Sequence, residues 1–219
     1  TQPSLIEIGK LARLGLPVAG LLILEAGFFN AIALMMGSLG QTALAAHNVV
    51  MNYVTLIFMI PVGLANALMV RVGQAMGESG VAEARFRGLV GIGVASGAMV
   101  VSALVIVMFP RAIIGLYTAD PSVAATAAGL LVCAALFQLS DGIQITSAGA
   151  LRGLQDTNVP MFISGGAYWL VGVPASWWLG MYLERGPLGL WLGLILGLTV
   201  SATLLGARFL LKSGRLATR

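Results

Sequence analysis

Charge is what this sequence has least of. Asp, Glu, Lys and Arg make up only 9% of its 219 residues, while 58% are hydrophobic and the mean hydropathy is +0.96. A soluble domain carries roughly 25% charged residues. The expectation is therefore an all-α integral membrane protein, with room for about six spans of ~20 residues. Cysteine is nearly absent too. Cys133 is the only one and sits inside an apolar run, which excludes disulfides and cysteine metal clusters. His47 is the single histidine and has no imidazole partner; at a membrane boundary it reads as structural. Enzyme signatures are missing: no GxGxxG after a strand, P-loop, HExxH or GxSxG. The SDGIQ around Asp141 lacks the GxGD context of intramembrane aspartyl proteases. Neither an enzyme nor a cofactor is expected. The formal charge of +4 brings nucleic acid to mind, but the basic residues stand at the ends of apolar runs and are not interleaved with aromatics, so no nucleic-acid partner is expected. The chain opens on Thr1 without a visible cleavable signal, and a fragment or processed piece of a longer protein is expected.

What is present is a series of long apolar runs. Residues 1–13 place Leu5, Ile8, Leu11 and Ala12 on one helical face and Glu7, Lys10 and Arg13 on another, as in a short interfacial amphipathic segment. A transmembrane region follows over 14–211, with spans at about 14–36, 48–70, 88–108, 124–150, 159–183 and 188–211. Residues 212–219 form a basic tail. Asp120 and Pro121 read as the N-cap and first-turn proline of the fourth span. Ten of the twelve basic residues fall on one side of these spans, leaving Arg111 and Arg185 on the other. The positive-inside rule then puts both ends in the cytoplasm. Gly189, Gly193, Gly197 and Ser201 recur every four residues, with a second pair at Gly93 and Gly97; such spacing allows close helix packing. Pro61 and Pro174 interrupt the hydrogen bonding of their spans.

Two acids stand at membrane depth, Glu25 and Asp141. A charged side chain at the bilayer centre costs about 2.5–3.5 kcal/mol on insertion scales, so such residues are functional candidates. No Lys or Arg is expected at comparable depth; either the acids stay protonated and donate to backbone carbonyls, or, as the favoured reading, they bind a monovalent cation or exchange a proton. Carboxylate oxygens suit a hard cation, and Na⁺ at Glu25 and Asp141 is the metal to consider. Gln138 and Gln144 lie one turn to either side of Asp141, and Phe137 shares its face. Asn48, Asn52 and Thr55 form a polar stripe on the second span, extended by Asn66. Asn48, Asn52, Phe137, Gln138 and Gln144 are candidates to line a cavity or cation site. The amides serve equally well as interhelical hydrogen-bonding groups. Phe28, Phe29, Phe58, Phe162, Tyr168 and Trp169 read mainly as packing or lipid-facing residues.

The stretches GLPVAGLLILEAGFF, ALAAHNVVMNYVTLIFMIPVGLANALMVRVGQAMG and FQLSDGIQITSAGALRGLQDTNVPMF resemble the C-terminal half of the multidrug and toxic compound extrusion (MATE) family, in its NorM branch. The resemblance covers essentially the whole chain. It implies one six-helix lobe of a transporter whose two lobes flank a central cavity. It also implies antiport of small cationic or amphipathic drugs and xenobiotics against Na⁺ or H⁺ across the bacterial inner membrane, a role in drug resistance. The family's C-lobe cation site falls on Glu25 and Asp141. Membrane lipids and the N-terminal six-helix lobe missing here are the implied partners. A lipid or polysaccharide flippase of related architecture, or a non-transporting membrane scaffold, are the alternative readings.

Overall fold

The computed structural model describes the backbone of residues 5–217 and the side chains of residues 9, 13 and 15–216. Every regular element among the described residues is helical. Helix α1 runs Leu5–Ser38, α2 Gln41–Glu78, α3 Val81–Met108, α4 Pro110–Gly115, α5 Pro121–Gly153, α6 Asn158–Gly166, α7 Val173–Trp177 and α8 Gly186–Ala217. Five of these (α1 from Gly15, α2, α3, α5 and α8) are long and apolar enough to cross a membrane. The expected 159–183 span falls on one helical rod made of several segments. In it α6 and α7 are joined and followed by wider π-helical segments, Ala167–Gly172 and Trp178–Tyr182. The first π segment has a local cause. In a regular helix the Pro174 ring would strike the Leu170 carbonyl four residues back, and the wide turn falls on Leu170.

The helices are longer than the spans read from hydropathy. The α1–α2 connection shrinks to Leu39–Gly40 and the α2–α3 connection to Ser79–Gly80. Gly40 and Gly80 adopt φ of +113° and +86°, where a side chain would be strained. The polar stretches around Gln41 and Arg71 are therefore helix, not loop. Residues 5–13 likewise share one helix with the first span and form no separate element, and α8 carries the basic tail as far as Ala217; residues 1–4, 218 and 219 of the expected end segments lie outside the described residues. The expected cap is present. Asp120 Oδ1 accepts from the backbone N–H of Ser122 at 2.8 Å and of Val123 at 3.4 Å, and from the Ser122 hydroxyl at 2.7 Å.

Helix α5 is the hub, packed along α2, α3 and α8. Backbone approach is closest where residues are small. A Cβ on Gly149 would lie 2.5 Å from the Ala65 carbonyl oxygen of α2. The Gly189–Gly193–Gly197–Ser201 stripe of α8 presses on the α6–α7 rod: a methyl at Gly193 would overlap the Ser176 backbone, and the Ser201 and Ser164 hydroxyls meet at 2.8 Å. The Gly93/Gly97 pair behaves differently, with nothing within 4 Å of either built Cβ. Two apolar clusters fill the interior. One gathers Phe28, Ile32, Phe137, Tyr168 and Trp191; the other gathers Leu68, Val72, Leu151, Leu205 and Phe209. Residues 138–147 of α5 supply five buried polar side chains, Gln138, Asp141, Gln144, Thr146 and Ser147, between the cluster that ends at Phe137 and the one that resumes at Ala148.

Candidate functional site

That polar section of α5 opens onto a cleft of ≈ 550 Å³ walled by α1, α2 and α5. Asp141 and Glu25 both line it, 4% and 8% exposed, so two acids 116 positions apart in sequence share one cavity. Neither forms an ion pair among the described residues, and Asp141 Oδ1 is buried without a hydrogen-bond partner. The remaining walls are chiefly apolar: Leu22, Met51, Val54, Val62 and Ile145, with the rings of Phe29, Phe58 and Phe137. Thr55 and Asn66 bring the only uncharged polar side chains among the lining residues. The aromatic wall is braced from behind. Phe137 sits edge-on to Phe29 and to Trp191 at centroid distances of 5.9 and 5.8 Å, and Phe28 stacks on Tyr168 at 5.0 Å.

The cleft holds one residue that the sequence argument placed elsewhere. Arg152 lines it together with the two acids, half-buried, its Nε without a hydrogen-bond partner. Its position near the end of α5 suggested a solvated loop cation. Two facts of helix geometry bring it back. Asp141, Ile145, Ala148 and Arg152 follow a 4–3–4 spacing that keeps them on one face, and side chains on a helix tilt toward its N-terminus. The guanidinium therefore points back along α5 into the cleft, where its charge acts on Glu25. The 4–3–4 spacing was the signal that could have found it.

The other candidates lie apart. Gln138 does not line the cleft; its Oε1 accepts from the Ser102 hydroxyl of α3 at 2.7 Å. Gln144 is fully buried with neither amide atom partnered, also away from the cleft wall. Asn48 and Asn52 are exposed, and the Asn52 amide donates to the Asn48 carbonyl of its own helix at 2.8 Å. Of the polar stripe on α2, it is Thr55 and Asn66 that reach the cavity. His47 is buried edge-on against Trp191 at 5.8 Å.

Helical throughout its described residues and with five helices long and apolar enough to cross a membrane, the chain is a multi-pass membrane protein with two carboxyl groups in a cleft between its helices. The chain belongs to the MatE family, whose profile matches residues 17–178. A probable multidrug resistance protein NorM of Xanthomonas campestris pv. campestris is 48% identical over 214 residues, 98% of this chain and 47% of that protein. Multidrug resistance protein PmpM of Pseudomonas aeruginosa is 42% identical over 210 residues, 94% of this chain and 44% of that protein. The chain thus spans about half the length of the curated relatives it matches. Among solved structures, the eukaryotic MATE transporter AtDTX14 superposes with a TM-score of 0.89 at 21% identity, covering 98% of this chain and 50% of that one. An outward-facing multidrug resistance MATE family transporter of the MOP superfamily gives 0.86 at 19% identity, covering all of this chain and 49% of that one. At those identities the likeness shows the fold.

Proposed function

We propose that this chain forms one six-helix lobe of a cation-coupled antiporter. It exports cationic or amphipathic drugs across the bacterial inner membrane in exchange for Na⁺ or H⁺, with both ends of the segment cytoplasmic. The observation that carries the reading is the pairing of Glu25 and Asp141 in one apolar cleft with a single guanidinium. With both acids ionised, the three groups sum to one net negative charge. A single monovalent cation or one proton neutralises the cleft. A cationic drug seeks the same charge, with the Phe29, Phe58 and Phe137 rings available to its flat or apolar parts. Ion and drug therefore exclude one another, which is what an exchanger needs. By linkage, each weakens the other's binding by the same factor. The names of the NorM and PmpM relatives support multidrug export as the cargo class. The half of the relatives' length that this chain does not span supplies the facing lobe and the other wall of the transport path.

The test is efflux of a cationic dye from proteoliposomes holding the full-length protein, with Na⁺ and pH gradients imposed separately. Wild type should respond to one gradient, and Glu25→Gln and Asp141→Asn should each abolish the response while keeping the wild-type thermal unfolding profile. Dye movement indifferent to both gradients and both substitutions would overturn the reading.

A further inference from the structure

A second groove lies away from the acid cleft and shares no residue with it. It measures ≈ 660 Å³ and runs between Ile163 of α6 and the outward face of α8. Its floor is apolar, formed by Ile163, Leu204, Ala207 and Leu211, and its far end carries Arg208, Lys212 and Arg215. The three cations follow i, i+4, i+7 spacing and so form one ridge.

The ridge is built, not incidental. After α5 ends, Gln155 takes a left-handed conformation at φ +55°, and the Asp156 N–H closes back on the Leu151 carbonyl at 2.9 Å. This turn delivers the buried Asp156 carboxylate beneath α8. There its Oδ2 accepts from Arg208 Nε at 2.8 Å and pairs with Lys212 Nζ at 3.3 Å. One acid thus pins two cations from below and leaves about a third of each side chain open to the groove, 33% and 30%. Asp156 offsets one of the two charges it pins, and Arg215 adds a third cation to the ridge. Arg208 lies 22 residues beyond Gly186 at the start of α8, so it stands about 33 Å along the helix. That is one hydrocarbon thickness of ~30 Å, where acyl chains give way to headgroups.

We propose that this groove binds an anionic phosphodiester lipid of the phosphatidylglycerol type. Its phosphate sits against Arg208, Lys212 and Arg215, and an acyl chain follows Leu211, Ala207 and Leu204 toward the membrane interior. The charge selects an anion, and the apolar floor running away from the charges selects an amphiphile over free phosphate. The inference is independent of what the acid cleft transports.

The experiment counts bound lipid on full-length protein in neutral detergent by native mass spectrometry, with thermal unfolding measured alongside. Phosphatidylglycerol, phosphatidylcholine and inorganic phosphate are titrated separately. Phosphatidylglycerol should bind and raise the unfolding midpoint. The other two should do neither. Loss of each cation should weaken phosphatidylglycerol binding about fivefold, so the Lys212→Gln/Arg215→Gln pair should weaken it about 25-fold. Arg111→Gln, at the far end of the molecule, should leave it unchanged. The single Arg215→Gln variant touches an exposed residue and serves if the double variant does not fold. Equal binding of phosphatidylcholine, stabilisation by inorganic phosphate alone, or unchanged binding in Arg215→Gln would each overturn the assignment.

Discussion

Replacing Arg152 by Gln removes the cation that shares the cleft with Glu25 and Asp141 and doubles the cleft's net negative charge. The size of the effect follows from helix geometry. Eleven residues separate Asp141 from Arg152 on α5, or about 16 Å of rise. The arginine side chain, tilted toward the N-terminus, recovers about 6 Å of that. Two unit charges about 10 Å apart at an effective dielectric of about 20 interact by about 1.7 kcal/mol. A cation bound at Asp141 is repelled by the guanidinium to that extent, so Arg152→Gln should tighten cation binding by roughly fifteenfold. Arg152→Lys should keep near wild-type affinity. The assay is titration of a fluorescent cationic dye into full-length protein in nanodiscs, with and without Na⁺ across a range of pH. A second consequence is qualitative: with two net negative charges, ion and dye can be held together, and the ion should displace the dye less completely. Unchanged dye and ion affinities in Arg152→Gln, or equal tightening in Arg152→Lys, would refute the charge-balance argument.

Two further predictions concern the scaffold. Gly193→Ala should destabilise the protein by about 1–3 kcal/mol, since the methyl overlaps the Ser176 backbone, whereas Gly97→Ala, with open space at its Cβ, should be neutral or slightly stabilising; thermal unfolding of the pair checks both. Asp120 caps α5 outside the membrane, and hydrogen bonds from the Ser122 hydroxyl and then the Ser122 and Val123 N–H groups hold its carboxyl below the ordinary carboxylate range. A carboxyl lowered on folding stabilises the protein above its unfolded pKa and ceases to do so as pH falls through its folded value. The unfolding midpoint of Asp120→Ala should therefore lie below wild type near neutral pH, the two converging in acid; a difference that persists at low pH would remove Asp120 from this role.

Much of the architecture was legible because lipid leaves the sequence few options. Backbone groups must pair within each segment, so apolar length alone located the helices. The two acids stood out because a carboxylate among apolar residues has no ordinary explanation. Helix ends were harder to read. Glycines at 40 and 80 turn the chain in two residues, so helices run past the hydrophobic stretch that hydropathy measures. The small-residue signal divided for a similar reason. Spacing shows that a face is flat, not what lies against it: the α8 stripe meets the α6–α7 rod, and Gly93 and Gly97 have no neighbour within 4 Å of a Cβ among the described residues. In the cleft, periodicity on one helix cannot say which face turns inward. Thr55 and Asn66 line the cavity where Asn48 and Asn52 do not. Gln138, a neighbour of Asp141 in sequence, spends its carbonyl oxygen on Ser102. Arg152 is hidden in the sequence because its backbone lies near a helix end, while its long side chain carries the charge well away from there.

The wide turn at Ala167–Gly172 fixes more than the path of its own rod. Two consecutive residues of that turn hold α1 on either side of Glu25: the Trp169 indole donates to the Leu24 carbonyl at 3.2 Å, and Tyr168 stacks on Phe28. A π turn contains one residue more than the α turn it replaces, and each residue advances a helix by about 100°. Without that extra residue, Tyr168 and Trp169 would be swung about a quarter of the way round the rod relative to everything beyond it, and one of the two grips would miss. The azimuth at which Glu25 enters the cleft it shares with Asp141 is thus set by a single residue of chain length in a neighbouring helix, much as a key sets the angle of a wheel on its shaft.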